Sequence, residues 1–359
     1  MNTKKILLIV YCALILVPCV FFSLGVLLPG AANTVDGAEM PSVVEKGNSI
    51  IINTKIGTQF EEYFAKNFAY RNNVVDAFST VKENIFSDGN EQVVVGKDDF
   101  LFFADTLDSY TGANAMTDTE INAAADSLLA LYKYSRENGA SFLFVCAPNK
   151  NSIYGEMMPS RYTMQTENRD LDRLYAALDE RFVPYLDLRD ILIEAKSEQL
   201  IYHKRDTHWN TEGARIAAEA IAAELGFTLP DFSKLGPVSN RSFEGDLDKL
   251  LYPASVRYDD NTSYNLEGLY GFASAYSNPM QMSIRTRSNQ SGKLLMFRDS
   301  FANAMFPLLA TGFGEARFER SYTIEQLSTY GADAVIVEIA ERNIRELIGC
   351  DERIPDANN

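Results

Sequence analysis

The chain has 359 residues, 46% of them hydrophobic and 23% charged, with 33 Lys and Arg against 49 Asp and Glu for a formal charge of −16. These are globular proportions, and they exclude wholesale disorder and a collagen-like repeat. The acidity, with no block of Lys or Arg, argues against a nucleic-acid partner, because phosphate binding needs concentrated basic side chains. Only two histidines occur, His203 and His208, so any chemistry that needs imidazole falls to one of them.

Lys4 and Lys5 precede Ile6–Leu28, a stretch of 23 residues without a charge. A helix of that length crosses a hydrocarbon core of about 30 Å and exceeds the apolar region of an ordinary signal peptide. The leading lysines favour an N-terminus left inside and a bulk sent outside. Residues 1–30 are therefore expected to be a transmembrane anchor, with cleavage near Ala31-Ala32 as the alternative, and the rest of the chain extracytoplasmic. Cys12 and Cys19 fall in this span, leaving Cys146 and Cys350, too few for a disulfide framework or a four-cysteine zinc site.

Residues 31–110 read as a polar linker and a membrane-proximal segment. Apolar groups recur at helical spacing over 57–87, and Gln92–Val95, Gly96-Lys97 and Phe100–Phe103 read as strand, turn and strand. Thr117 or Thr119 caps a helix that runs to about Glu137. From there short apolar runs alternate with helical patterns. Ser141–Ala147, Val183–Leu188, Lys293–Phe297 and Asp333–Ile339 read as buried strands, and Asn168–Arg181, Arg189–Lys196, Thr211–Leu225 and Phe301–Thr311 as helices. This alternation predicts a parallel sheet flanked by helices on both sides, with ligands at the carboxyl ends of its strands. The domain spans 111–350 and is interrupted over about 227–292 by a β-rich insertion full of turn residues and tyrosines.

Two segments can carry chemistry. Asp206 and His208 lie two apart before the helix at Thr211, so in extended chain both side chains face one way, and an ionised Asp beside an imidazole fixes its tautomer as a general base requires. Ser300 follows the strand Lys293–Phe297 at a sharp turn into a helix, where helical N–H groups face a developing oxyanion. Both segments have a simpler reading as caps: Asp206 or Asn210 for the first helix, Asp299 or Ser300 for the second. Asp259-Asp260-Asn261 lacks the glycine and distal glutamate of a calcium loop, and His203 has no third-ligand pattern, so neither a metal nor a cofactor is expected.

Taken together, these segments resemble the SGNH-hydrolase-like polysaccharide O-acetylation proteins, of the alginate O-acetylation type and the related DHHW type. The resemblance rests on Asp206-Thr207-His208-Trp209 with Gly213, a serine turn about 90 residues later, FEEYFAKNFAYRNN at Phe60–Asn73, VVVGKDDFLF at Val93–Phe102, APNKNSIY at Ala147–Tyr154 and AVIVEIAERN at Ala334–Asn343. It covers roughly residues 55–345 outside the insertion. It implies Ser300 as nucleophile, His208 as base and Asp206 as its orienting acid, in the family's reversed chain order. Asn149 and Lys150, which follow the first sheet strand, together with Arg298 and Trp209, are further substrate-binding or oxyanion candidates. One position departs from the family, Arg298 replacing a glycine, while Thr207 in place of the first histidine of DHHW is a difference shared with the alginate branch. The implied activity is acetyl transfer to a cell-wall or exported polysaccharide, with a membrane-bound O-acyltransferase partner supplying the acyl group. An acetyl esterase using the same residues and a non-catalytic glycan-binding scaffold are the alternatives.

Overall fold

The computed structural model describes residues 41–42, 44–46, 50–67, 71–83, 88–255, 257–322, 327 and 329–350, together with Leu16, Cys19, Val20 and Ser23. The predicted apolar span 6–28 lies outside the described residues apart from those four, and among the described residues no helix is long and apolar enough to cross a membrane. The chain divides into two units, Met1–Phe86 with Leu251–Val256, and Ser87–Leu250 with Arg257–Asn359.

In the smaller unit β1 (Val44–Lys46) pairs antiparallel with β2 (Ile50–Ile52), followed by helices α1 (Ile56–Asn67) and α2 (Arg71–Val81). The carboxylate of Asp76 on α2 accepts from the backbone N–H of Ala254 at 3.1 Å and from the hydroxyl of Ser255.

The larger unit opens with the hairpin β3 (Val93–Val95) and β4 (Leu101–Phe103). There follow α3 (Leu107–Thr111), α4 (Asp118–Glu137), β5 (Ser141–Ala147), α5 (Lys150–Ile153), α6 (Asp170–Glu180), β6 (Tyr185–Asp187), α7 (Arg189–Ala195) and α8 (Thr211–Leu225). The second half holds β7 (Val238–Glu244), α9 (Asp246–Leu251), β8 (Tyr258–Ser263), β9 (Gly271–Phe272), β10 (Ser283–Arg287), β11 (Lys293–Phe297), α10 (Ala302–Ala310), β12 (Glu315–Glu319) and β13 (Ala334–Ala340). Among the described residues the main sheet has seven strands in the order β6-β5-β13-β11-β12-β10-β9.

Why these segments form a doubly covered sheet is visible in their side chains. Along β5, Leu143 and Val145 face one layer while Phe142 and Phe144 face the other. The first layer holds Ala214, Ala217 and Ile221 of α8 and Met305 and Leu309 of α10. The second holds Ala124, Leu128 and Leu131 of α4 and Leu171, Leu174 and Leu178 of α6. Continuous apolar runs are what two buried faces require. α4 starts at a capping box, with Thr117 and Glu120 satisfying each other's backbone N–H, and α8 ends at Gly226 in the left-handed conformation.

Two expectations need correction. The sheet is mixed, because β10 runs antiparallel to both of its neighbours, β12 and β9, while β6, β5, β13, β11 and β12 are parallel. The segment 227–292 is not wholly an insertion: β10 lies inside it and pairs with β12, and only β7 and β8 form a separate two-stranded ribbon. β10 (SIRTR) and β12 (EARFE) place charged residues on every second position, so they lack the apolar runs that marked the central strands.

Candidate active site

β11 delivers its last residue, Phe297, to the carboxyl edge beside Val337 of β13, and the turn that follows is held by one carboxylate. Asp299 Oδ1 accepts from the N–H of Phe301 at 2.8 Å, and Oδ2 accepts from the N–H of Ala340 at 2.8 Å and from Asn343 Nδ2 at 3.2 Å. The N–H of Asp299 in turn donates to Glu338 Oε2 at 3.1 Å. Burial, with the charge of Asp299 beside it, pushes the Glu338 carboxyl well above the usual range. α10 begins at Ala302 without a side-chain cap, so the Ser300 hydroxyl is not engaged as one.

The second segment is the loop before α8. Its ends are pinned by an antiparallel bridge between Tyr202 and Trp209, and the helix is capped by Asn210, whose side chain accepts from the N–H of Gly213 at 3.0 Å. That cap leaves Asp206 available for other partners. Gly213 lets the first turn of α8 press onto this loop, since a Cβ there would lie 2.3 Å from the carbonyl oxygen of Ile201. From beneath, the Lys150 ammonium donates to the carbonyls of His203 at 3.0 Å, Lys204 at 3.0 Å and Asp206 at 2.6 Å. Burial lowers the Lys150 pKa to about 7 against the opposing pull of Asp206.

The two segments meet. Trp209 Nε1 donates to the carbonyl of Phe301 at 2.8 Å, and the Trp209 and Phe301 rings pack edge to face. His208 Nε2 lies 2.9 Å from Ser300 Oγ, and His208 Nδ1 lies 2.7 Å from Asp206 Oδ1. Asp206 Oδ1 also accepts from the N–H of His208 at 2.9 Å, and Oδ2 accepts from the N–H of Asp246 at 2.8 Å. Burial alone would raise the Asp206 pKa. The hydrogen bonds and charge of His208, with the Asp246 N–H, outweigh it and hold Asp206 well below the ordinary carboxylate range. The Asp206 side chain is 5% exposed and that of His208 is 24% exposed, so the acid is sealed while the base opens outward.

Beside the imidazole is a cleft of about 330 Å³ lined by His203, Trp209, Phe243, Asn261, Pro279 and Asn303, with Ser300 and His208 at its wall. The other predicted residues have different places. Trp209 is both cleft wall and brace. Arg298 is buried, and its guanidinium donates to Asn303 Oδ1 at 2.8 Å and to the carbonyls of Pro279 at 2.9 Å and Gln281 at 3.0 Å, so it holds the cleft rim together. Lys150 is a correction: its three donors are engaged by carbonyls behind the loop, so it is a brace and not a cleft residue. Asn149 follows β5 at the same sheet edge and donates its N–H to Glu341 Oε2 at 2.8 Å, while its side-chain amide is buried with no partner among the described residues.

The residues that sequence reasoning missed lie in the insertion. Asp246 accepts from the N–H of Thr207 at 2.8 Å and from Thr207 Oγ1 at 2.6 Å, Asp248 pairs with Arg205 at 2.5 Å, and Asp259 accepts from the N–H of Arg205 at 2.7 Å. Gly245 permits this docking, since a Cβ would lie 2.0 Å from the Arg205 carbonyl oxygen. Asp259 and Asn261, weighed for calcium, instead fasten the ribbon, Asn261 Oδ1 accepting from Thr211 Oγ1 at 3.0 Å. A glycine followed directly by an acidic residue in a helix-poor insertion was the one available signal. Asp206, His208 and Asp246 do place ligand atoms within 4.8 Å of one another. Their carboxylate oxygens are engaged by N–H and O–H donors, so the cluster is a hydrogen-bonded set.

Comparison with known proteins agrees with this architecture. Residues 93–258 match the family model for an SGNH hydrolase-like domain of the acetyltransferase AlgX, a match that includes Asp206 and His208 and ends before Ser300. A probable alginate O-acetylase AlgJ of Pseudomonas aeruginosa is 23% identical over 226 residues, covering 62% of this chain and 56% of that protein. Its counterpart from Pseudomonas putida is 22% identical over 175 residues, covering 48% and 44%. The chain thus spans about half the length of these curated relatives. Among solved structures, Bacillus cereus PatB1 is similar with a TM-score of 0.54 at 16% identity, over 70% of this chain and 95% of that one. A DHHW family protein from Eubacterium siraeum has a TM-score of 0.51 at 15% identity, over 65% and 89%. At these identities the structural likeness speaks for the fold.

Proposed function

We propose that the chain, similar over residues 93–258 to the SGNH hydrolase-like domain of the acetyltransferase AlgX, is an O-acetyltransferase acting on an extracytoplasmic polysaccharide through Ser300. The observation that carries this reading is the run of contacts Ser300 Oγ to His208 Nε2 at 2.9 Å and His208 Nδ1 to Asp206 at 2.7 Å.

The chemistry follows from those atoms. Ser300 Oγ bonds to the acyl carbon of the donor as His208 Nε2 takes the hydroxyl proton. The Asp206 carboxylate keeps the Nδ1–H tautomer and stabilises the imidazolium. The N–H groups of Asp299 and Phe301 are held by Glu338 and Asp299, so the candidate oxyanion donors are the N–H of Ser300 and the uncommitted amide of Asn149. Collapse expels the donor's leaving group, which takes the proton from His208. A sugar hydroxyl then enters, gives its proton to the same nitrogen, bonds to the acyl carbon and releases Ser300, which recovers the proton. The acetyl group is supplied by a membrane-bound O-acyltransferase partner, and the apolar span 6–28 anchors the chain at the membrane with its larger unit outside.

Acceptor identity separates transfer from hydrolysis. Purified protein is incubated with p-nitrophenyl acetate and a soluble oligosaccharide, with Ser300→Ala as control, and the sugar is analysed by mass spectrometry. Acetylated sugar formed only by the protein with Ser300 is the expected result. Ser300-dependent ester cleavage that never acetylates the sugar marks an esterase, and equal nitrophenol release by both proteins marks a scaffold.

A further inference from the structure

We propose that Asp246, carried by the insertion, is a second carboxylate acting on the base: a positioning residue that stabilises the His208 imidazolium through the hydroxyl of Thr207. The inference deepens the functional reading above and rests on it for the role of His208.

The geometry is that of a relay with two branches. His208 Nδ1 lies 2.7 Å from Asp206 Oδ1 and also 3.0 Å from Thr207 Oγ1. The Thr207 hydroxyl donates to Asp246 Oδ2 at 2.6 Å, which leaves its lone pairs facing the ring N–H. Asp246 Oδ2 is itself 3.8 Å from Nδ1. One N–H thus faces a carboxylate directly and a second carboxylate through one hydroxyl. The backbone of Asp246 reinforces the arrangement, since its N–H donates to Asp206 Oδ2 at 2.8 Å while its Oδ1 accepts from the N–H of Thr207 at 2.8 Å. Two acids this close repel, and burial with the charge of Asp206 raises the Asp246 pKa above its ordinary value. The donors from Thr207 and the positive charge that His208 gains during the reaction oppose that rise.

Other groups face the ring or stand behind it. Ser300 and Phe301 come from the β11–α10 turn, Phe301 with its ring centroid 4.8 Å from that of His208. The Arg342 guanidinium lies 5.2 Å from the Phe301 ring. Lys150 reaches the carbonyl of Asp206 from below, and the Asp248–Arg205 pair and His203 complete the surroundings. Among the carboxylates joined to Nδ1 by hydrogen bonds, Asp206 is bonded directly and Asp246 through Thr207, which makes residue 207 the switch for the second branch.

The test reads the imidazole itself and works whether or not the protein turns over an ester. With two histidines in the chain, each ring C–H signal is assignable by NMR, and His203 serves as internal control. The His208 titration midpoint is followed in the full chain with Asp246→Asn, Thr207→Val and the double variant. Loss of one nearby negative charge lowers the midpoint by about one pH unit in Asp246→Asn. Thr207→Val lowers it in the same direction, the double variant goes no further than Asp246→Asn, and Thr207→Ser restores what Thr207→Val loses. A His208 midpoint unmoved in Asp246→Asn, with the His203 signal unchanged and the fold therefore intact, overturns the proposal. So do additive shifts, which would mean two independent effects. Failure of the acetyl-transfer reading would appear separately, as ester release that does not depend on Ser300.

Discussion

His203 and His208 stand five residues apart on one loop and carry different duties. His203 stacks flat on Phe243 with ring centroids 3.7 Å apart, and burial lowers its pKa to about 4 despite the opposing charge of Asp206. Its folded pKa is thus below the unfolded value of about 6.5, so the unfolded chain takes up the proton first. The neutral ring contributes stability that is present above about pH 6.5 and is lost as the pH falls toward 4, roughly 2–4 kcal/mol across that window. Denaturation midpoints followed with pH should therefore fall less steeply in His203→Phe than in the natural chain, and parallel curves would contradict this. His208 instead joins Asp206 to Ser300. Because the base and the nucleophile act as one unit, His208→Ala and Ser300→Ala should each remove ester cleavage and the double variant should be no slower than either. Rate measurements with a chromogenic ester check this, and additive losses would exclude a relay.

Elements decide whether such side chains can meet. α8 and α10 lie in one layer over the sheet, and each starts at the end where β11 and the 203–210 loop emerge, so Asp206, His208 and Ser300 converge although 92 residues separate the last two. Much of this was legible. The apolar strands, the Asp206/His208 spacing and the serine turn are local patterns; of the two cap readings, the first falls to Asn210, while α10 begins without a side-chain cap and Asp299 holds the Phe301 N–H in the turn before it. What stayed hidden depends on chain returning from a distance: Asp246 reaches Thr207 across 39 residues, and nothing local to Gly245 discloses that its missing side chain makes room for the Arg205 carbonyl. β10 and β12 were hidden for another reason, since alternating charge is the mark of a strand with one wet face and not of a central one. Gly245→Ala tests the docking. Forcing a Cβ against the Arg205 carbonyl should cost about 1–3 kcal/mol in chemical denaturation and slow ester cleavage at the same time. Unchanged stability and rate would mean the insertion sits free of the loop.

At the scale of the whole molecule the formal charge of −16 sets the terms of encounter. A polyanionic acceptor meets a repulsive field that salt screens, whereas a neutral acceptor does not. Acetyl transfer to an oligouronate should therefore quicken between low and physiological ionic strength, and transfer to an uncharged oligosaccharide should change little. Rates measured with both acceptors over a salt series decide it, and equal salt responses would show that charge does not govern approach.

The account stands on one covalent bond, and peptide mass spectrometry after rapid acid quench of the protein with p-nitrophenyl acetate looks for it directly. The prediction is an acetyl group on the peptide containing Ser300, absent in Ser300→Ala and strongly reduced in His208→Ala. Ester consumed at the full rate with that peptide unmodified, or acetyl accumulating on another side chain, would contradict it.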